Sequence, residues 1–289
     1  MAIFHPRLIN SIVALGETKE GEFKFTATGF IFGNITHDTK SKGRFNMSMH
    51  LVTNHHVIEG LDSIALRVDD RSGTSTRIYE LPMYTAEGYR LFESDPELDL
   101  AVVSIGNLEP WNNKELGPTH IFSSEAFVSL SQYRDFGVAE GERIFAMGYP
   151  MGLVGYDQNL PLVRMGIISR IRDFLDGKSK SIIIDSQIYP GNSGGPVFLD
   201  QKPFAENDLA PHIKPGTQLT YLIGVVSGYI PYKETAVSIQ SGKPRIEFQE
   251  NSGLGIIVPA PYIVELINRH LEYRLSLGAK IVTQPFPDS

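Results

Sequence analysis

Short runs rich in β-branched and aromatic residues recur along the chain, separated by Gly, Pro, Asn and Asp, and this rhythm predicts strands. In the first half the runs fall at Leu8–Leu15, Phe23–Phe32, Met47–Thr53, Ser63–Val68, Arg77–Tyr84 and Leu100–Ile105. The second half offers Arg143–Met147, Leu162–Ile171, Ser181–Asp185, Pro196–Leu199, Leu219–Ser227 and Gly255–Val258. Six and six suit two antiparallel barrels, because closing a sheet on itself removes its exposed edges. The stretch from Trp111 to about Tyr133 would connect them. One segment follows another period: after Val258-Pro259-Ala260, apolar Ile263, Leu266, Ile267 and Leu271 recur at helical spacing. They predict a helix over Pro261–Leu277, packed on the second barrel. The expected fold class is all-β, two six-stranded antiparallel β-barrels with a C-terminal α-helix. Within a single domain 1–289, the first barrel and linker start take about 8–120 and the second barrel about 121–260. The helix takes 261–277 and a tail 278–289. No repeats or low-complexity tracts are present.

Composition narrows the function classes. With 289 residues and 42% hydrophobic content the chain can bury a substantial core. Acidic residues number 33 against 26 basic ones, a net charge of −7, and no long basic run occurs. Nucleic acid is therefore not an expected partner. Cysteine is absent, which fits a reducing compartment. The start, Met1 to Arg7, lacks a basic head followed by an apolar core, and no apolar run approaches the ~20 residues that span a bilayer. A cytoplasmic protein with no membrane partner is the expectation.

Candidate chemistry centres on Tyr189-Pro190-Gly191-Asn192-Ser193-Gly194-Gly195-Pro196. A serine among three glycines, held between two apolar runs, can sit at a tight bend with backbone N–H groups converging beside it. Acyl transfer needs that arrangement, together with a base and a group to orient the base. Of the eight histidines, His55 and His56 lie where the run Leu51-Val52-Thr53 gives way to polar residues. Asp99 opens the apolar run Leu100-Ala101-Val102-Val103, where a carboxylate can be partly buried and still receive an imidazole N–H. The order is His, Asp, Ser, with separations of 43 from His56 to Asp99 and 94 from Asp99 to Ser193. That order belongs to the two-barrel solution of the triad.

Thr53-Asn54-His55-His56-Val57, Asp99-Leu100-Ala101-Val102 and Gly191-Asn192-Ser193-Gly194-Gly195 resemble the three catalytic blocks of trypsin-like (chymotrypsin-fold) serine proteases, and most of all the HtrA (Deg) branch. Thr28-Gly29-Phe30-Ile31-Phe32, Ala146 to Gly152, Val163 to Ser169, Asp185-Ser186-Gln187-Ile188 and Gly253 to Pro259 are similar to further blocks of that branch. The resemblance runs from about residue 11 to residue 270. It implies a serine endopeptidase with His56 as base, Asp99 as its orienting carboxylate and Ser193 as nucleophile. Gly191, Asn192 and Ser193 would form the oxyanion hole, its donors being the N–H groups of Gly191 and Ser193. Asn192 stands where trypsin-type zymogens carry an aspartate that pairs with a newly cut N-terminus, so activation by that ion pair is not expected. By alignment Gln187, Ile188, Val226, Ser227 and Tyr229 would contact substrate. No acid lies at the pocket floor, which disfavours Arg or Lys at the cleavage point and leaves a small or medium apolar residue as the preference.

The substrate would be a polypeptide, with no cofactor and no metal; a regulatory protein or an oligomer would supply control. The chain stops soon after the helix, leaving no room for a PDZ domain of about 90 residues. The loops Gln201–Gln218 and Tyr229–Ser252 look enlarged and would flank the cleft. Other readings remain at this point. Gly191 to Gly195 also satisfies the α/β-hydrolase elbow, which needs an acid such as Asp200 or Asp208 and then His212 or His270 after the serine. That reading leaves the His56 and Asp99 blocks unexplained. His55 could be the base in place of His56, and His50, His55 and His56 make a weak metal set. Asp185 and Ser227 are equally explained as plain structural residues. The chain could also be a catalytically silent or conditionally gated binding module in a larger assembly.

Overall fold

In the computed structural model of the protein, the described residues are 6–37, 45–69, 75–105, 122–123, 129–203, 218–278 and 284–285. A single helical turn, α1 (Pro6–Ile9), takes the start of the first expected strand. The run then extends as β1 (Ile12–Lys19). Val13 and Leu15 point to one side of β1, Ile12 and Ala14 to the other, and all four are buried. Both faces are covered: the first pair joins a core made of first-half residues, the second a core shared with the other half of the chain. That is why Ile12 to Leu15 reads as a continuous apolar run and not as an alternation.

Antiparallel partners follow on both sides of β1. β2 (Glu22–His37) pairs with β1 and with β3 (Phe45–Thr53). A helical turn, α2 (His55–Ile58), follows β3 directly. β4 (Ser63–Asp69) pairs with β1 and with β5 (Thr76–Pro82). β6 (Phe92–Asp95) pairs with β7 (Leu100–Ser104), and β7 pairs with β3. The sheet therefore runs β5-β4-β1-β2-β3-β7-β6. A short β8 (Phe122–Ser123) adds to β2 in parallel. All the expected first-half strands are present, joined by β6, whose Phe-Glu-Ser-Asp sequence carries too little apolar pattern to announce a strand. Among the described residues no continuous ladder joins β5 to β6; an isolated bridge, Tyr84↔Arg90, and the Leu91 N–H to Met83 carbonyl bond at 2.8 Å link the segment after β5 to the one before β6.

The second half meets its expectation. After α3 (Leu130–Asp135), capped by the Ser129 and Gln132 side chains, come β9 (Arg143–Gly148), β10 (Leu162–Arg170), α4 (Arg172–Leu175), β11 (Ile182–Asp185) and β12 (Pro196–Pro203). β13 (Gln218–Val237) and β14 (Pro244–Pro259) complete a closed barrel in the order β10-β11-β14-β13-β12-β9. Its interior is packed with second-half residues such as Ile144, Ile184, Val197 and Ile223. The enlarged segment Tyr229–Ser252 is a two-stranded ribbon in register from Pro231↔Asn251 to Ala236↔Ile246. Register shifts at Val226/Gly228 and Tyr229/Pro231 mark where it leaves the barrel. The middle of Gln201–Gln218, most of the Trp111–Tyr133 connection, His212 and Asp208 lie outside the described residues.

The helix expected at Pro261–Leu277 forms as α5 (Pro261–Ser276). Its buried Ile263, Leu266 and Ile267 join Leu98, Leu100 and Val102 from the first half and Phe145 and Phe198 from the second. Arg269 reaches Glu93 Oε1 at 3.1 Å and Asp95 Oδ2 at 3.2 Å on β6. The helix thus packs on β6 and β7 as well as β14, correcting the expectation that it serves the second barrel alone. A last short strand, β15 (Gln284–Pro285), lies on β3. Among the described residues no helix is long and apolar enough to cross a membrane.

Candidate active site

The shared core between the halves brings three chain segments to one seam. β3 ends at Thr53, and α2 begins at once, so His55 and His56 leave the sheet on a short helical turn. Asp99 sits just before β7, next to β3 in the sheet. The connection β6–β7 is a tight turn in which Asp95 Oδ1 accepts the Glu97 and Leu98 N–H groups, each at 3.1 Å. Asp99 itself adopts φ 55°, the left-handed region that Asp tolerates better than most residues. Asn54 Nδ2 donates to the Asp99 carbonyl at 2.7 Å and holds that conformation.

This turn aims the carboxylate at His56. Asp99 accepts the His56 Nδ1–H at 2.8 Å on Oδ1 and 2.9 Å on Oδ2, and the His56 backbone N–H at 3.1 Å on Oδ1. Ser227, on β13 of the barrel, donates its hydroxyl to Asp99 Oδ2 at 2.7 Å. With Nδ1 as donor, the imidazole keeps its Nε2 lone pair free to accept a proton. His55 instead contacts Ser94 Oγ at 3.1 Å and Glu59 at 3.7 Å. The carboxylate therefore orients His56 and not His55.

Electrostatics follow from these bonds. The hydrogen bond to Asp99 raises the His56 pKa above its ordinary 6.5; burial opposes this, and the negative charges of Asp99 and Glu59 add to it. Burial alone would raise the Asp99 carboxyl. The hydrogen bonds from the His56 side chain, Ser227 and the His56 amide, with the His56 charge, outweigh it and hold Asp99 below its ordinary 3.8.

Ser193 meets this assembly from the other side. Its Oγ lies 3.5 Å from the Ser227 carbonyl oxygen. At that length the bond is at the weak limit, so little holds the hydroxyl away from a better acceptor. Ser227 therefore links the carboxylate, through its side chain, to the nucleophile candidate, through its carbonyl. Before Ser193 the chain turns through Tyr189-Pro190-Gly191-Asn192, closed by Asn192 N–H to Tyr189 O at 3.0 Å. Pro190 occupies the second position and Gly191, at φ 98°, the third, as a type II turn requires. A Cβ on Gly191 would meet Tyr149 O at 2.5 Å, and one on Gly194, at φ 81°, would meet Thr28 O at 2.1 Å. Both glycines are demanded by space as well as by dihedral angle.

The trypsin-like peptidase family model matches residues 27–203. The chain belongs to that family. A "Probable periplasmic serine endoprotease DegP-like" of Rickettsia conorii is 31% identical over 163 residues, covering 54% of this chain and 25% of that protein. "Protease Do-like 5, chloroplastic" of Arabidopsis thaliana is 28% identical over 193 residues, covering 64% and 47%. The chain thus spans less than half the length of these relatives, which agree with the resemblance to the HtrA/Deg branch. The MamO protease domain from Magnetospirillum magneticum aligns with a TM-score of 0.45 and 17% identity, over 90% of this chain and 96% of that one.

The other expected residues divide. Asn192 does not offer its N–H to an anion, because Tyr189 O takes it; its Oδ1 also accepts the Tyr189 N–H at 3.2 Å. It braces the turn and leaves Gly191 and Ser193 as the candidate donors. Ile188 and Val226 do not line a groove, for both fill the barrel interior at 1% and 0% exposure. Gln187 is exposed, its Oε1 accepting the Tyr189 hydroxyl at 3.0 Å, and Tyr229 packs at the barrel rim. Asp185 is exposed and pairs through its backbone with Ile167 and Leu254. His50 on β3 and His270 on α5 are buried, and neither bonds Asp99 among the described contacts. Sequence reading missed Asn54, whose amide holds the Asp99 turn, and Thr28, whose hydroxyl bonds the Gly191 carbonyl at 2.6 Å. Asn54 precedes the histidine pair in a matched block, the one signal that pointed to it.

Proposed function

We propose that this chain is a serine endopeptidase that cleaves polypeptides through an acyl-enzyme. Supporting the reading above all is the bonding of Asp99 to both His56 and Ser227. In the first step Ser193 Oγ rotates to His56, gives it a proton at Nε2 and attacks the peptide carbonyl carbon. The carbonyl π pair moves to oxygen, and the Gly191 and Ser193 N–H groups stabilise that oxyanion. Collapse expels the amine, which takes the proton from His56, and leaves the acyl group on Ser193. Water, deprotonated by the same imidazole, then attacks the acyl carbon; the bond to Ser193 Oγ breaks, that oxygen takes the proton back from His56, and the acid leaves. Asp99 holds the Nδ1–H tautomer and stabilises the imidazolium at each step.

The working compartment is cytoplasmic in this proposal, on the cysteine-free composition. Cleavage after small or medium apolar residues follows from the lack of an acid at Gln187. Control comes from a partner or an oligomer acting through loops that border the cleft. A second reading has one observation of its own: Ser193 Oγ faces the Ser227 carbonyl, a resting arrangement that suits a gated or silent protease-fold module. A fluorophosphonate probe separates the two. The peptidase reading expects labelling of the wild type, abolished in Ser193→Ala, together with cleavage of unfolded casein. Absence of labelling under every condition, with casein left intact, favours the binding module.

A further inference from the structure

Thr28 lies at the end of no catalytic chain, yet all its polar atoms are spent on the nucleophile turn and its surroundings. It is fully buried on β2. Its hydroxyl donates to the Gly191 carbonyl at 2.6 Å and accepts the Tyr149 N–H at 3.1 Å. Its backbone N–H donates to the Ser193 carbonyl at 2.9 Å, and its own carbonyl accepts the Thr53 hydroxyl at 2.9 Å. Thr53 immediately precedes Asn54 and the histidine pair, so one residue of the first half touches both strands of the proposed machinery.

The peptide before Gly191 is held from another direction. The Pro190 carbonyl accepts the Met151 N–H at 2.8 Å. In a planar trans peptide the C=O and the following N–H point opposite ways. With the Pro190 oxygen tied to Met151, the Gly191 N–H is committed to the opposite side of the turn. Met151 makes this bond from φ 56°, a left-handed conformation that a non-glycine residue keeps only where its surroundings impose it. The two peptide planes flanking the Gly191 Cα are therefore both pinned, one by a backbone N–H from the 149–152 turn and one by a side-chain hydroxyl from β2.

We propose that Thr28 and the Met151 amide form a two-point clamp that presets the Gly191 N–H as an anion donor, with Thr28 as the positioning residue. The inference deepens the peptidase reading and rests on it for its kinetic consequence, though not for its geometry. Without the hydroxyl, the buried Gly191 carbonyl and Tyr149 N–H both lose a partner. Rotation of the Pro190–Gly191 and Gly191–Asn192 peptides is then the route by which the carbonyl finds another.

The test compares Thr28→Val, which keeps the shape and loses the hydroxyl, with Thr28→Ser, which keeps the hydroxyl. On fluorescein-labelled casein, Thr28→Val is expected to lose about 10²-fold in kcat with KM within about twofold, the signature of a lost transition-state donor. Thr28→Ser is expected to stay within about threefold of wild type, since its hydroxyl can reach the same carbonyl. A crystal structure of Thr28→Val is expected to show the Gly191 N–H turned from its wild-type direction. Unchanged kcat in Thr28→Val, equal losses in both variants, or an unmoved Gly191 peptide would each overturn the clamp. A wild type that neither labels nor cleaves casein defeats the peptidase reading instead, and the crystal structure then judges the clamp by itself. Should Thr28→Val not fold, Thr28→Ala carries the same readouts.

Discussion

At the residue scale the site is a chain of donors built around one carboxylate. Asp99 accepts from His56 twice over and from Ser227, so removing its charge strands an imidazole in the wrong tautomer. Asp99→Asn is expected to lower kcat by about 10⁴ with the fold intact, measured on casein beside a melting curve. The pH dependence has a definite sign. In the proposed mechanism His56 must be neutral to act as base, and its pKa is raised above 6.5, so kcat/KM should rise with pH through an inflection above that value. Ser227→Ala removes one bond that holds Asp99 down, and so should leave the carboxyl easier to protonate and weaken activity on the acid side. A profile flat from pH 5 to 9, a span of roughly four units around the ordinary histidine value, would contradict the assignment. The gathering of His56, Asp99 and Ser193 around Ser227 was legible in the sequence because all three stand inside short, distinctive blocks. The contacts of Thr28 and Asn54 were not, although both stand in matched blocks, because a strand threonine or an asparagine declares nothing until the fold shows what it touches.

At the element scale, β3 and α5 each carry a buried histidine. His50 on β3 keeps one bond, to Ser48 Oγ at 3.0 Å; among the described residues its Nδ1 has no partner and the His270 ring nitrogens meet only the Phe92 backbone. Burial, with the positive field of His270, pushes His50 down to about 3; burial, with Arg274 and Arg90, pushes His270 down to about 4. The unfolded chain takes up these protons near the ordinary 6.5, while the folded chain resists them until about 4 and about 3. Stability is therefore full above 6.5 and falls as pH drops from there towards 4. His270→Leu should shrink the drop in melting temperature between pH 7 and pH 5, by roughly 2–4 °C on ordinary domain values. An identical drop in both proteins would contradict it. The strands of the barrel and the helix were readable because their apolar periods are strong. β6 was not, being held by Arg90 and Arg269 on Glu93 more than by pattern. The ribbon at 229–252 was read as a loop because its exposed faces, Tyr232, Ile246 and Phe248 among charges, show no buried stripe.

At the scale of the molecule, the two halves meet across a common core and through Arg67. Its guanidinium leaves β4 to bond the carbonyls of Val154 at 3.2 Å and Tyr156 at 2.6 Å and the Asn159 side chain at 3.1 Å. Asn159 returns the contact to Arg67 O at 2.7 Å and to Asp69 at 2.7 Å. Arg67→Ala should free the 153–160 segment, seen as earlier nicking there under limited thermolysin digestion; unchanged cleavage order would argue otherwise. An account that reads one half alone misses both this tie and the clamp, since each spans the seam. Sequence pattern gave the strands of both halves but not the path of the first sheet, because closure depends on which edges meet and not on any run's own composition.

One measurement bears on the central claim most directly. Intact protein treated with diisopropyl fluorophosphate is digested and the adduct mapped by mass spectrometry, beside the His56→Ala variant. The account predicts a single modified residue, Ser193, and loss of that modification without His56. Modification spread over surface hydroxyls, or equal labelling of Ser193 in both proteins, would contradict it.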